Sequence, residues 1–165
     1  MNCEPIEIRS VIRRMRGGSQ AQLIEAADGR HYVVKFVGNP QGTRTLINEW
    51  IAYTALHRLG VSTPPLRILR LTDAVIAKTA NLDFHAGSRQ SPIEAGFHLG
   101  SLCPVNPEQI AIFDFLPEKL IGHIVNLTDF AKALVIDKLL GQIDQRQAVF
   151  TRERSLGGLF RFAHT

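Results

Sequence analysis

The chain contains Gly17-Gly18-Ser19-Gln20 and, a little further on, His31-Tyr32-Val33-Val34-Lys35-Phe36, and the order of these two segments narrows the choice of fold. Between them lies an apolar segment that ends at Asp28-Gly29, a residue pair that strongly favours a two-residue hairpin turn. We therefore predict strands at residues 21–27 and 31–37, joined by this turn. Lys35 lies within the apolar second strand, where an ammonium group without a partner is energetically costly. The pattern thus predicts that Lys35 has a partner.

A helix with an acidic residue in its apolar stripe is predicted after the second strand. It begins at Thr43 or Thr45, after a cluster of helix breakers, and it stops at Gly60. Its apolar residues recur at a spacing of three to four, and Glu49 interrupts them. The order of glycine-rich loop, strand, turn, strand with lysine and helix with glutamate is typical of the first half of a kinase-type nucleotide site.

The glycine-rich loop is the candidate segment for binding phosphate. Gly17 and Gly18 would let the backbone approach a phosphate closely, and the backbone amides of Ser19 and Gln20 would donate to it. Taken singly, two glycines before a strand are typical of an ordinary turn, and a strand lysine often extends its ammonium into solvent. Together with Glu49, these residues make a nucleotide site about as well supported as an ordinary turn and a solvent-exposed lysine.

The rest of the first 80 residues predicts a sheet. Residues 6–14 alternate loosely and form a predicted first strand. Residues 66–71 and 74–79 form a predicted hairpin around Thr72-Asp73. About five strands and one helix then predict an antiparallel sheet with a helix packed on one face.

The second half of the chain is predicted to begin with a connector. Residues 81–106 have little periodicity and are rich in Gly, Ser, Pro and His, so we expect them to connect two lobes. The elements predicted beyond it are helices opening at Pro107-Glu108 and Pro117-Glu118, a helix capped by Thr128-Asp129 and ending at Gly141, and strands at residues 147–151 and 159–164.

The loop after that last helix carries a further candidate group. Asp144 lies between a capped helix and a short strand, which is where a kinase fold places its catalytic aspartate. Arg146, two residues later, is suited to orient this carboxylate or to contact phosphate.

Composition limits the class of protein. The 165 residues, 45% of them hydrophobic and 21% charged, indicate a globular chain of one domain or slightly more. Two cysteines without metal-ligand spacing favour a reducing compartment, and no segment has the length of a membrane span or the pattern of a signal peptide, so we expect a cytoplasmic protein. The net charge of +4 comes from scattered residues, apart from Arg9, Arg13, Arg14 and Arg16, so a nucleic-acid-binding module is the weakest of the functions considered.

Several segments, taken in order, resemble the HipA-like kinases. In the first half they are Gly-Gly-Ser-Gln-Ala-Gln-Leu at 17–23, Tyr-Val-Val-Lys-Phe at 32–36 with Asn-Pro-Gln at 39–41, and Asn-Glu-Trp-Ile-Ala at 48–52 with Leu-Gly-Val at 59–61. In the second half they are residues 96–101, 113–117, 137–138 and 144–150. The resemblance runs through nearly the whole chain, and the ordered set is far more specific than any one segment.

This resemblance implies a protein-kinase-like, bilobal α+β fold: an antiparallel N-lobe at 1–80, a connector at 81–106 and a partial helical C-lobe at 107–165. It also implies ATP-dependent phosphoryl transfer to a protein Ser or Thr or to another hydroxyl, with ATP and Mg²⁺ as cofactors. The expected partners are a nucleotide and a protein substrate or partner chain, without a membrane or nucleic acid.

The resemblance assigns roles to individual residues as well. Lys35 would hold the phosphates, Glu49 would pair with Lys35, and Asp144 would be the catalytic acid or base. Gln147 is the candidate for a metal ligand.

Two differences from the family pattern predict an alternative function. The family has an Asn two residues before the catalytic Asp, whereas this chain has Gln142-Ile143-Asp144. The chain also ends at Thr165, where the resemblance leads us to expect a metal-binding aspartate. The alternative is a truncated pseudokinase that binds a nucleotide or a partner without catalysis, with apolar helix faces left uncovered near Phe130, Leu134 and Leu140.

Overall fold

The computed structural model describes residues 4–15, 18–103, 110, 112–113, 116–139, 148–152 and 159–164. The strands are β1 (Ile6–Arg14), β2 (Gln22–Ala26), β3 (His31–Lys35), β4 (Leu66–Leu71), β5 (Asp83–Ala86), β6 (Arg89–Pro92), β7 (Gly96–Leu102), β8 (Ile112–Phe113), β9 (Ala148–Arg152) and β10 (Phe160–His164). The helices are α1 (Thr43–Arg58), α2 (Asp73–Lys78), a 3-10 helix (Glu118–His123) and α3 (Leu127–Leu139). The predicted mixture of helices and strands is thereby confirmed.

The chain divides into two compact units. The first unit comprises Met1–Ile47 and Pro65–Cys103, and the second comprises Asn48–Pro64 and Pro104–Thr165. Helix α1 contributes to both, because the division falls within it. The domain boundaries drawn from the sequence, with lobes at 1–80 and 107–165, stay a prediction.

The first unit is built on a closed five-stranded barrel with the strand order β1-β2-β3-β7-β4. Neighbouring strands are antiparallel except β1 and β4, which run parallel and pair at Ile6 and Glu7 of β1. The β1–β2 register shifts between Ile8 and Ser10, and such irregularities bend a strand and allow a sheet to close. The sheet is antiparallel, as predicted, except between β1 and β4, and this parallel pair closes it into a barrel, which the sequence did not predict.

Apolar side chains fill the inside of the barrel. Ile24, Val34 and Leu69 are completely buried in its core, since alternate residues of each strand point inward. Gly100 lies beside them, and a Cβ atom on Gly100 would lie 2.4 Å from Cδ1 of Leu69. The close approach of β7 and β4 thus depends on a residue without a side chain.

The predicted first strand, the turn at Asp28-Gly29 and the helix stop at Gly60 are confirmed. The first strand covers residues 6–14 as predicted, and Gly29 in the β2–β3 turn has φ +75°. Helix α1 ends two residues before Gly60, which has φ +69° and donates its N–H to the carbonyl of His57. A positive φ at the residue after a helix is the usual reason for a glycine there.

The predicted strand at 74–79 is wrong, and a helix occupies this segment. Thr72 is the N-cap residue, with an extended backbone, and Asp73 lies in the first turn of α2. The N–H groups of Val75 and Ile76 donate to the carbonyl of Thr72, which begins the helix. β-branched residues suggested a strand, but Asp73 at the start of a helix interacts favourably with the helix dipole.

Residues 81–106, expected to be a connector, contain β5, β6 and β7. Strand β7 pairs with β3 on one side and with β4 on the other, so it lies in the body of the barrel. Strands β5 and β6 form a separate two-stranded hairpin. These strands were not predicted because the segment is rich in Gly, Ser and His, which do not indicate a strand. Pairing with distant segments, rather than a local apolar period, stabilises them.

The second unit combines helices with the antiparallel sheet β10-β9-β8. Phe130 of α3 contacts Phe150 and Phe162, with ring centroids 5.8 and 5.1 Å apart. The helix predicted to be capped by Thr128-Asp129 begins at Leu127 instead, where the carbonyl of Asn126 accepts from the first-turn N–H groups. Strands β9 and β10 confirm the predicted pair near the end of the chain.

The predicted helix opening at Pro117 is confirmed as a 3-10 helix, whereas that at Pro107, the end of α3 near Gly141 and the turn before residue 159 lie outside the described residues. Of the predicted uncovered apolar residues, Leu134 is exposed and Phe130 is packed. Among the described helices, none is long and apolar enough to cross a membrane.

Candidate nucleotide site

Lys35 is the last residue of β3, opposite Leu99 of β7. Tyr32 and Val34 alternate with it and point into the barrel, so Lys35 lies on the outer face of the strand and is half-buried. Glu49 lies on α1, the helix that follows, and is only 9% exposed. Both side chains have interaction partners. Their pairing with each other stays a prediction.

The glycine-rich loop lies between β1 and β2, and Gly18, Ser19 and Gln20 are its described predicted residues. A Cβ atom on Gly18 would lie 2.9 Å from Nε2 of Gln41, the far end of a flexible side chain that can move away. Ser19 is buried, and Gln20 has φ +51°. A positive φ is uncommon for a residue other than glycine, so the backbone of the loop has an unusual conformation at Gln20.

The side chain of Gln20 joins this loop to β5. Its Oε1 accepts the backbone N–H of His85 at 2.9 Å, and its Nε2 donates to the carbonyl of the same residue. The amide side chain thus pairs with a strand backbone in the manner of another strand. The sequence predicted a role for the backbone of Gln20, and this role of its side chain was missed.

Next to this junction the buried Asp83 is held by three exposed polar residues. The carboxylate of Asp83 accepts from Nε2 of Gln90 and, at 3.1 Å, from Nη2 of Arg14, and Nε2 of His85 lies 2.7 Å from it. These groups, first the hydrogen bond from Gln90 and then that from Arg14, hold the pKa of Asp83 below its usual range. The cluster fixes the hairpin to β1, and it was missed because these residues lie in the presumed connector.

An apolar strip lies beside Lys35 on the same face of the sheet. Leu23 of β2 is opposite Val33, and Val33 is opposite Ser101 of β7, so the three side chains lie side by side. Oγ of Ser101 is buried and has no hydrogen-bond partner among the described residues. Leu23 is 2% exposed and Val33 is half-buried, so Val33 is the residue of this strip that offers an accessible apolar contact beside Lys35.

One comparison with known proteins is decisive. Residues 8–101, more than half of the chain, match the family described as HipA-like kinase. The chain belongs to the HipA-like kinase family. No curated protein and no solved structure matches it.

The family match covers β1 through most of β7 and includes the glycine-rich loop, Lys35 and Glu49. Among the described residues, no group of three or more His, Cys, Asp and Glu side chains is placed to hold a metal ion. The predicted site residues Gly17, Asp144, Arg146 and Gln147 lie outside the described residues.

Proposed function

We propose that this HipA-like kinase domain binds ATP on the first unit and transfers its terminal phosphoryl group to a hydroxyl, such as a Ser or Thr of a protein. The observation that carries the proposal is the position of Lys35 on the third strand, followed by a helix with a nearly buried glutamate. Protein kinases place their phosphate-binding lysine and its glutamate partner on these two elements. The finer expectation of a bilobal, protein-kinase-like arrangement belongs to this proposal.

The residues proposed for the site suit a nucleotide. The ammonium of Lys35, in the first unit, would neutralise phosphate charge. Glu49 belongs to the second unit, and its role of holding that ammonium rests on the family resemblance. The amides of Gly18, Ser19 and Gln20 would donate to phosphate oxygens, while the half-buried Val33 would contact the adenine ring. The anchoring of Gln20 on β5 supports a loop whose shape exists before the nucleotide arrives.

Magnesium ATP supplies the phosphoryl group together with a cation that neutralises its charge. Asp144 would accept the proton of the acceptor hydroxyl, and Arg146 would orient Asp144 or contact phosphate. Gln147 is the candidate metal ligand through its amide oxygen. The roles of these three residues rest on the sequence.

The first test is the variant Lys35→Met, which keeps much of the apolar length of the side chain and removes its charge. We expect ATP binding, measured by calorimetry with and without Mg²⁺, to weaken at least about tenfold, because a charge-assisted contact to phosphate is lost. Lys119→Met, which removes an exposed lysine of the second unit, is the matched control. Unchanged ATP affinity in a folded Lys35→Met protein would contradict the proposal.

The alternative, a pseudokinase that binds a nucleotide or a partner without catalysis, is favoured by Gln142 at the position where the family pattern has Asn. The side chain of Gln is one methylene longer than that of Asn, so its amide would reach farther from the backbone. Transfer of labelled phosphate from ATP, compared between the natural chain and Asp144→Asn, separates the two. Transfer that depends on Asp144 supports the kinase, whereas Lys35-dependent binding without any transfer supports the pseudokinase.

A further inference from the structure

A large groove opens on the first unit, away from the strip beside Lys35. Strand β1 pairs with β4 only at Ile6 and Glu7, and beyond that point the two strands separate. The later part of β1 lines the groove together with α2 and the segment that follows α2, and the volume is about 850 Å³. Neither Lys35 nor Val33 nor Ser101 lines it, so the groove is distinct from the candidate nucleotide site.

All the described charged residues that line the groove are basic. Its lining includes Arg9, Arg13, Arg14 and Lys78, and none of the described residues that line it is acidic. Glu25 pairs with Arg9, and Asp83 pairs with Arg14, so two of these cations are balanced from outside the lining. Within the described part of the chain, Arg13 and Lys78 have no acidic partner at salt-bridge distance.

An amide side chain also lines the groove. Gln22 is 3% exposed, and no hydrogen bond joins its side chain to another described residue. Gln22 precedes Leu23 in β2 and is opposite the inward-pointing Val34, so it lies on the inner side of the strand, at the end of the barrel. Its amide atoms are not among the buried unpaired atoms of the described residues, so the amide is accessible and can donate to the acceptor oxygens of a ligand.

Apolar side chains complete the lining. Val11, Val75 and Leu82 lie among the polar groups. The volume is that of a site for a whole small molecule, larger than a single phosphate requires. The combination of cations, a donor amide and apolar contacts is suited to an organic molecule with several anionic oxygens.

We propose that this groove binds a small organic molecule that carries two or more phosphate groups. Arg13 and Lys78 hold its phosphates, the amide of Gln22 donates to one of them, and Val11, Val75 and Leu82 contact its organic part. Guanidinium and ammonium groups are the usual protein partners of phosphate. The site does not depend on the proposed kinase function.

The test uses inorganic tripolyphosphate as the probe of the anionic part and follows its binding by calorimetry and by ¹H–¹⁵N spectra of the full chain. We expect binding with shifts of the Gln22 side-chain amide, and at least about tenfold weaker binding by the double variant Arg13→Ala/Lys78→Ala. Arg30→Ala/Lys119→Ala removes the same charge from exposed positions that do not line the groove and serves as the control. Lys35→Met should keep the shifts at Gln22, which separates this site from the ATP site.

Three results would overturn the proposal. The first is tripolyphosphate affinity that the Arg13→Ala/Lys78→Ala protein retains. The second is a set of spectral shifts confined to Gly18, Gln20 and Lys35. The third is a single-stranded oligonucleotide that binds more tightly than tripolyphosphate with the same dependence on Arg13 and Lys78, which would make nucleic acid the ligand.

Discussion

His98 is a single residue whose protonation is determined by its surroundings. It is 4% exposed, its Nδ1 accepts the N–H of Val37 at 3.1 Å, and its Nε2 lies 3.2 Å from the carbonyl oxygen of Glu94. A ring that accepts at Nδ1 carries its proton on Nε2, so the neutral tautomer fits both contacts. Burial lowers the pKa of His98, and the contact with Glu94 opposes this effect only in part.

The lowered pKa of His98 predicts a dependence of stability on pH. Below the ordinary pKa of 6.5 the unfolded chain binds a proton at this ring that the folded chain does not bind. The stabilisation is therefore complete above pH 6.5 and is lost as the pH falls toward the folded pKa, with a slope of at most about 1.4 kcal/mol per pH unit.

We expect His98→Gln to lose this part of the pH dependence when the free energy of unfolding is measured in urea between pH 7.5 and 5. His123→Gln, which changes an exposed histidine, should keep the slope of the natural chain. Equal slopes for the natural chain and His98→Gln would show that His98 is not protonated differently in the two states.

At the scale of elements, two hydrogen bonds between the side chain of Gln20 and the backbone of His85 connect the glycine-rich loop to the hairpin β5–β6. Replacing Gln20 by Ala removes both side-chain hydrogen bonds to the backbone of His85. Each contributes roughly 0.5–1.5 kcal/mol, so we expect faster amide exchange in the loop and about five- to tenfold weaker ATP binding.

Arg89→Ala is the control for this hairpin, because Arg89 is exposed on β6. Hydrogen exchange followed by mass spectrometry measures how well the backbone amides of the loop are protected, whether or not ATP binds. A loop that exchanges equally fast in the natural chain and in Gln20→Ala would show that the anchor does not order it.

Helix α2 shows the limit of local patterns for short elements. Its residues Val75 and Ile76 pack on the barrel core, although no residue of the helix is fully buried. Six residues give less than two turns, too few for a helical period to be distinguished from a strand. The placement of the segment against β1 decides in favour of the helix.

At the scale of the whole molecule, stability of the first unit depends on how closely β7 approaches its neighbours. A Cβ atom on Gly100 would lie 2.4 Å from Cδ1 and 3.1 Å from Cγ of Leu69, which is completely buried. We expect Gly100→Ala to lower the free energy of unfolding of this unit by roughly 1–3 kcal/mol, since an overpacked core must distort. Chemical denaturation followed by circular dichroism measures this change.

Gly122→Ala is the matched control, because no atom lies within 4 Å of a Cβ built on Gly122 in the second unit. It should leave the free energy of unfolding within about 0.5 kcal/mol of the natural value. A Gly100→Ala protein as stable as the Gly122→Ala protein would mean that the barrel relaxes around the added methyl group.

Local chemistry in the chain was sufficient to predict β1, the hairpin at Asp28-Gly29, the helix ending before Gly60, and the elements that carry Lys35 and Glu49. Turn residues, caps and apolar periods act over a few neighbours, so they can be recognised without the fold. The HipA-like kinase family was likewise evident from ordered local segments and is confirmed.

Only the tertiary structure determined the closure of β1 on β4, the place of β7 between β3 and β4 in the barrel wall, and the contact of Gln20 with His85. The pairing of β1 with β4 and the contact of Gln20 with His85 each join residues more than 60 positions apart. Such contacts leave no period in the sequence, because each is stabilised by partners that become neighbours only after the chain has folded.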